Sequence, residues 1–98
     1  MKYKEEIVQF LYDQISESKN KLEDEKFKLR FLFVYKKEYQ NKITEITAVM
    51  NTATHLLMTS QLSRALKYVY ILSCIVDDFI RQVYQESDAE SGKFLKIG

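Results

Sequence analysis

Apolar side chains recur along this chain at intervals of three and four residues, the spacing that places them on one face of an α-helix. The first such stripe predicts a short N-terminal helix over about residues 3–18. No proline is present, and the two glycines, Gly92 and Gly98, lie near the end, so nothing before residue 92 forces the backbone out of a helix. The residues of the first stripe are Ile7, Leu11 and Ile15, with Val8 and Phe10 beside them.

A second, longer helix is predicted over about residues 21–58. It begins after the polar run 16–20, because Asn20 followed three residues later by Glu23 is typical of a helix N-cap with its capping-box partner. From Leu22 onward a seven-residue repeat resembles a coiled-coil seam. One seam position holds Leu22, Leu29, Lys36, Ile43, Met50 and Leu57, and the other holds Glu25, Leu32, Tyr39, Ile46 and Ala53.

This seam is flawed at Glu25 and Lys36, which leaves an alternative open. A continuous helix would be a rod on the order of 55 Å long, more than a compact monomer of this size needs. The alternative is a break near Gln40 and Asn41, with Asn41 as a new N-cap.

A third helix is predicted over about residues 61–86, after the cap-forming residues 59–61. It forms a long antiparallel hairpin with the second helix. The fold class is therefore all-α, with one helical domain over residues 1–90 and a flexible C-terminal tail over residues 91–98. The apolar pattern of the third helix consists of Leu62, Ala65, Val69, Leu72, Val76, Phe79 and Val83.

The apolar run 68–76 predicts a second subunit. This run is apolar on every face of a helix, so it needs cover from more than one side. The hairpin places it beside residues 44–52, and a first helix that ends near residue 18 is too short to reach it. The surface left open exceeds the few hundred Å² that soluble monomers usually expose, which predicts a homodimeric helical bundle. The predicted dimer interface is Val69, Leu72, Ile75, Val76 and Phe79.

The substitution Val76→Asp is expected to dissociate this dimer. If the second helix breaks near Asn41 instead, its second half folds back, and a monomeric four-helix bundle covers the same run.

Cysteine and hydropathy bear on the compartment. Cys74, the lone cysteine, lies inside the apolar run and is expected to be a core residue, which suits a reducing, cytoplasmic location. The N-terminal residues do not resemble a signal peptide. The most apolar stretch, between Lys67 and Asp77, is shorter than the roughly 20 residues that a membrane span needs.

Basic residues concentrate between residues 19 and 42, where eight lysines and arginines face four acidic residues, a net charge of +4. Four of them fall on one helical face and are candidate contacts to phosphate groups or to a protein partner. A nucleic-acid-associated protein is therefore the alternative function. These four residues are Lys19, Lys26, Arg30 and Lys37.

The sequence contains no motif for catalysis, a cofactor or a metal, and His55 is its only histidine. We therefore expect a non-enzymatic helical interaction module: an adaptor, inhibitor, small chaperone or assembly factor, of the kind found in phages and mobile elements. Its partner contacts would be the basic residues and the tail residues Phe94 and Leu95. A second alternative, by analogy of fold, is a four-helix bacteriocin-immunity protein.

Overall fold

The computed structural model describes the backbone of residues 2–31 and 36–97, and the side chains of residues 3–30 and 36–86. Over this part of the chain the structure consists of three helices: α1 (Lys2–Phe31), α2 (Lys37–Met58) and α3 (Leu62–Ile97). No strand occurs in these residues. The predicted all-α class is confirmed.

The helices run up, down and up along a rod of 63 × 21 × 19 Å. Helices α2 and α3 are antiparallel, since Ile46 lies against Ile75 while Tyr39, earlier in α2, contacts Glu86, later in α3. The first and third helices are parallel, and α2 is antiparallel to both. Each helix packs against the other two.

Each helix contributes one buried stripe to a common core, with the alternating three- and four-residue spacing of a seven-residue repeat. A fully buried Leu, Val or Phe side chain in such a core contributes about 1.5–3 kcal/mol of transfer free energy. The predicted seam positions in α2 are all buried, and so are the pattern residues of α3 from Ala65 to Val83. The stripe of α1 contains Leu11, Ile15, Ser18, Leu22, Glu25 and Leu29.

The predicted boundary between a helix over residues 3–18 and a helix starting at 21 is wrong. Helix α1 passes through residues 16–20 without interruption, so Asn20 is not an N-cap. The stripe continues because Ser18 lies at a seam position, where it is buried, and its small side chain fits between neighbouring helices. A polar residue in the core therefore looked like a break in the sequence pattern.

The chain reverses direction between Phe31 and Lys37, and the predicted continuous helix over 21–58 is also wrong. The alternative break near Asn41 lies too far along the chain, since that residue is inside α2. Reversal at the earlier point folds the stripe of α2 onto the stripe of α1, so that the apolar positions of both helices are buried.

The turn between α2 and α3 is confirmed where the sequence placed it. Ser60 has a φ of 61°, the left-handed conformation that ends many helices. Its backbone N–H bonds the Leu57 carbonyl at 3.2 Å, and the N–H of Gln61 bonds the Leu56 carbonyl at 2.9 Å, the pair of bonds that defines a Schellman motif. Thr59 adds a side-chain hydrogen bond to the His55 carbonyl at 2.9 Å.

The third helix continues to Ile97, eleven residues beyond its predicted end at 86. The absence of proline, and of glycine before Gly92, explains why the helix extends into the polar region. The flexibility predicted for residues 91–98 stays a prediction. Within the described part of the chain, no helix has the length and hydrophobicity needed to cross a membrane.

Candidate interaction surface

The residues predicted to form a dimer interface lie inside the single chain. Leu72 and Val76 are fully buried, and Val69 and Phe79 nearly so, while Ile75 is half-buried against the core. A second subunit was predicted because the first helix was expected to be too short to reach residues 68–76. Because α1 extends to Phe31, it covers this run from the side that α2 leaves open, which removes that argument for a second subunit at these positions.

Cys74 is exposed, contrary to the prediction of a core thiol. The buried stripe of α3 passes through Leu72 and Val76, two residues before and two after it. Two residues of an α-helix turn through about 200°, so a residue midway between two seam positions points away from the core.

A different apolar surface lies along the first halves of α1 and α3. Tyr3, Ile7 and Phe10 follow one another at helical spacing along α1, and Leu66 and Tyr70 do the same on α3. These five residues define the α1–α3 patch. Their exposed fractions are 80% for Tyr3, 45% for Ile7, 55% for Phe10, 55% for Leu66 and 71% for Tyr70.

The patch contains a shallow groove of about 210 Å³ between the two helices. Phe10 and Leu66 form its two walls, and the nearly buried Val69 lies on its floor. Gln14 and Ser73 supply polar groups at its rim, within an otherwise apolar lining. Apolar walls with a few polar groups are typical of surfaces that receive a partner side chain.

An ion-pair network joins α1 to α3 further along the bundle than the patch. Lys21 Nζ lies 3.5 Å from Asp77 Oδ1 on α3 and 3.7 Å from Glu17 Oε1 on its own helix. All three side chains are roughly half exposed, so these pairs contribute little to stability. They mark the point where the surface between α1 and α3 changes from apolar to charged.

The four basic residues predicted to share one face do not all do so. Lys19, Lys26 and Arg30 lie on α1, but Lys37 begins α2, after the chain has reversed. Lys26 is paired with Glu23 at 3.5 Å. Lys19 lines a groove of about 380 Å³ between α1 and α2, whose other charged residue is also Glu23. The surface around Lys19 and Lys26 therefore carries both positive and negative charge, whereas a phosphate-binding face needs positive charge.

A polar cluster joins α2 to α3 near the start of α2. Tyr39 Oη donates a hydrogen bond to Glu86, and Gln82 Nε2 donates a second one at 3.3 Å. Lys36 Nζ lies 3.9 Å from the same carboxylate and 5.7 Å from the centre of the Tyr39 ring. The hydrogen bond from Tyr39 is the main reason that the pKa of Glu86 lies below its usual range, with smaller contributions from Gln82 and Lys36.

Glu25 occupies a buried seam position of α1. Burial raises the pKa of its carboxyl group, and the nearby charge of Lys28 lowers it by a smaller amount. Its place on the core-facing stripe explains this shift, so we assign Glu25 to the interior of the bundle.

The remaining candidate residues are His55 and two residues of the predicted tail. His55 is exposed in the last turn of α2, at the hairpin end. Phe94 and Leu95 fall where the side chains are outside the described residues. Among the described residues, no group of three or more His, Cys, Asp or Glu side chains is arranged to hold a metal ion.

Comparisons with family models, curated proteins and solved structures found no match to this chain.

The α1–α3 patch was not predicted from the sequence, although a signal for it was present. Ile7 and Phe10 are apolar but lie beside the seam that runs through Leu11 and Ile15. Leu66 likewise lies beside a seam position, Ala65. Large apolar residues that lie beside the buried stripe of a helix, and not on it, indicate such a surface.

Proposed function

We propose that this chain is a non-enzymatic helical interaction module that binds another protein through the α1–α3 patch. The observation that carries this proposal is the groove shared by Phe10, Leu66 and Tyr70, with Ile7 and Tyr3 at helical spacing further along α1. These five large side chains are each 45–80% exposed. At roughly 200 Å² for a fully exposed side chain of this size, they present on the order of 600 Å² of exposed surface, most of it apolar. That is the upper end of what a soluble monomer leaves open, and patches of this size mark binding sites.

Shape supports a helix as the bound element. From Tyr3 to Gln14 the patch and its groove together extend about 16 Å along the bundle, the length of three helical turns. A partner helix lying along the groove would place apolar side chains between Phe10 and Leu66 and above Val69. Gln14 and Ser73 would then donate or accept hydrogen bonds at the edge.

Photo-cross-linking at Tyr70 tests the proposal. A photo-reactive phenylalanine analogue replaces Tyr70 in the chain, which is expressed in the cells that normally produce it. The control carries the same analogue at Met58, which is 80% exposed but lies on α2, outside the patch. We expect a discrete protein adduct from position 70 and none from position 58. The added substitution Phe10→Asp should abolish the adduct while the helical circular dichroism is retained.

The proposal is wrong if position 70 gives no protein adduct, or if positions 58 and 70 give the same adducts with equal yield. Mass spectrometry of the adduct identifies the partner, including the case in which the partner is the same chain.

A further inference from the structure

We infer that the protein bound at the α1–α3 patch is a second copy of this chain, with α1 of each protomer packed against α3 of its partner. This inference rests on the proposed function, because it names the occupant of the same surface. It differs from the interface predicted from sequence, whose residues are largely interior to one chain.

The area of the patch fits a dimer of this kind. A stable interface buries about 800 Å² on each partner, with an apolar centre and a polar rim. The five apolar residues provide on the order of 600 Å² of centre. The flanking polar residues of α1 and α3, such as Gln14 and Ser73, extend that surface on either side. Two copies of the same patch can also cover each other, because a two-fold interface joins the same surface of both subunits.

Charge then selects how the two patches face each other. Residues 1–18 contain two lysines and four acidic residues, a net charge of −2. Residues 62–76 contain Arg64 and Lys67 and no acidic residue, a net charge of +2. Packing α1 on α1 of the partner would bring like charges together, whereas packing α1 on α3 brings opposite charges together.

A two-fold axis parallel to the helices produces this pairing and keeps every residue at its own height along the bundle. Phe10 and Leu66 lie at one height and Lys21 and Asp77 at another, so residue numbers on the two helices differ by about 56 at equal height. The position on α3 at the height of Asp13 is therefore residue 69. Lys67 lies two residues, or about 3 Å along the helix, from that height. Helical geometry places both on the outer edge of the patch, and both are exposed.

The dimer therefore contains two equivalent edges, each pairing Asp13 of one protomer with Lys67 of the other. Asp13 accepts a hydrogen bond from Gln9 at 2.8 Å in the single chain, on the exposed side of α1. This bond leaves its second carboxylate oxygen available to a lysine.

Charge reversal at either position tests the arrangement, with mass measured by light scattering during size exclusion. At micromolar concentration, the mass measured for the wild-type protein should be twice the 11.7 kDa of one chain. Each single variant, Asp13→Lys or Lys67→Glu, should weaken the dimer by roughly tenfold, because both edges become repulsive. An equimolar mixture of the two variants should recover the wild-type affinity, since both edges of the mixed dimer are attractive again. Circular dichroism of each variant confirms that it is folded.

A wild-type chain that is monomeric at 100 μM, roughly the upper end of such a titration, overturns the inference. The proposed function would survive that result if position 70 cross-linked to a different protein. A dimer that both charge reversals strengthen would place α1 against α1, and a mixture that does not recover affinity would exclude the Asp13–Lys67 edge; either result also overturns the inference.

Discussion

The phenolic hydroxyl of Tyr39 donates a hydrogen bond to the carboxylate of Glu86, which lies 47 residues further along the chain. The Tyr39 ring packs edge-on against Phe79, with the ring centres 5.9 Å apart. One side chain therefore contributes both to the core and to a charged contact between α2 and α3. This contact fixes the first turns of α2 just after the chain has reversed direction.

Replacing Tyr39 by Phe should remove the hydrogen bond and keep the ring. We expect a loss of about 0.5–1 kcal/mol in the free energy of unfolding at pH 7, modest because the carboxylate is partly solvated. A carboxyl group whose pKa is lowered in the folded state stabilises the protein above its unfolded-state pKa. That stabilisation is lost as the pH falls through the lowered value. Urea titrations of both proteins should therefore differ at pH 7 and converge in acid; a difference that grows in acid would contradict this account.

Replacing Ser60 by Gly should stabilise the protein. Ser60 adopts a φ of 61°, which costs a residue with a Cβ atom about 1 kcal/mol and costs glycine nothing. We expect the midpoint of thermal unfolding to rise, corresponding to about 0.5–1 kcal/mol. The matched control is Ser63→Gly, three residues later inside α3, which should lower stability by a similar amount. If both substitutions destabilise the protein, the turn does not have the conformation described.

Replacing Glu25 by Leu should also stabilise the protein, because it removes a carboxylate from a buried seam position. A carboxyl group with a raised pKa in the folded state makes the fold less stable as the pH rises through the interval between its unfolded and folded values. The gain in unfolding free energy should be about 1 kcal/mol at pH 7 and smaller near pH 4. Asp24→Leu, at the exposed neighbouring position, should change stability by less than about 0.5 kcal/mol. Equal effects at positions 24 and 25 would show that Glu25 is not buried.

The sequence predicted the core more reliably than the path of the chain. Leu22, Leu29, Ile43, Met50 and Leu57 are all buried, as their seven-residue spacing indicates. The first two lie on α1 and the last three on antiparallel α2, yet the spacing continues unchanged across the reversal. A periodic pattern identifies which face of a helix is buried, and it contains no information about direction. The reversal was therefore missed, although every one of these positions was assigned correctly.

Polar residues in the core account for a second error in the fold. Ser18 and Glu25 occupy seam positions, and a pattern-based interpretation treats such residues as a helix end or a flaw. The length predicted for the first helix was too short for this reason. That error led directly to the predicted dimer interface at Val69 and Val76. A short first helix could not cover these residues, so a second subunit was predicted to cover them.

The central claim is that α3 has one stripe buried within its own chain and a separate exposed stripe that is available for binding. Thermal unfolding of Val76→Asp, compared with Tyr70→Asp and followed by circular dichroism, tests it most directly. Val76 has no exposed surface and Tyr70 is 71% exposed. We predict that Val76→Asp abolishes cooperative unfolding, whereas Tyr70→Asp unfolds cooperatively with native helical content. A helical, monomeric Val76→Asp variant with wild-type thermal stability would contradict the account.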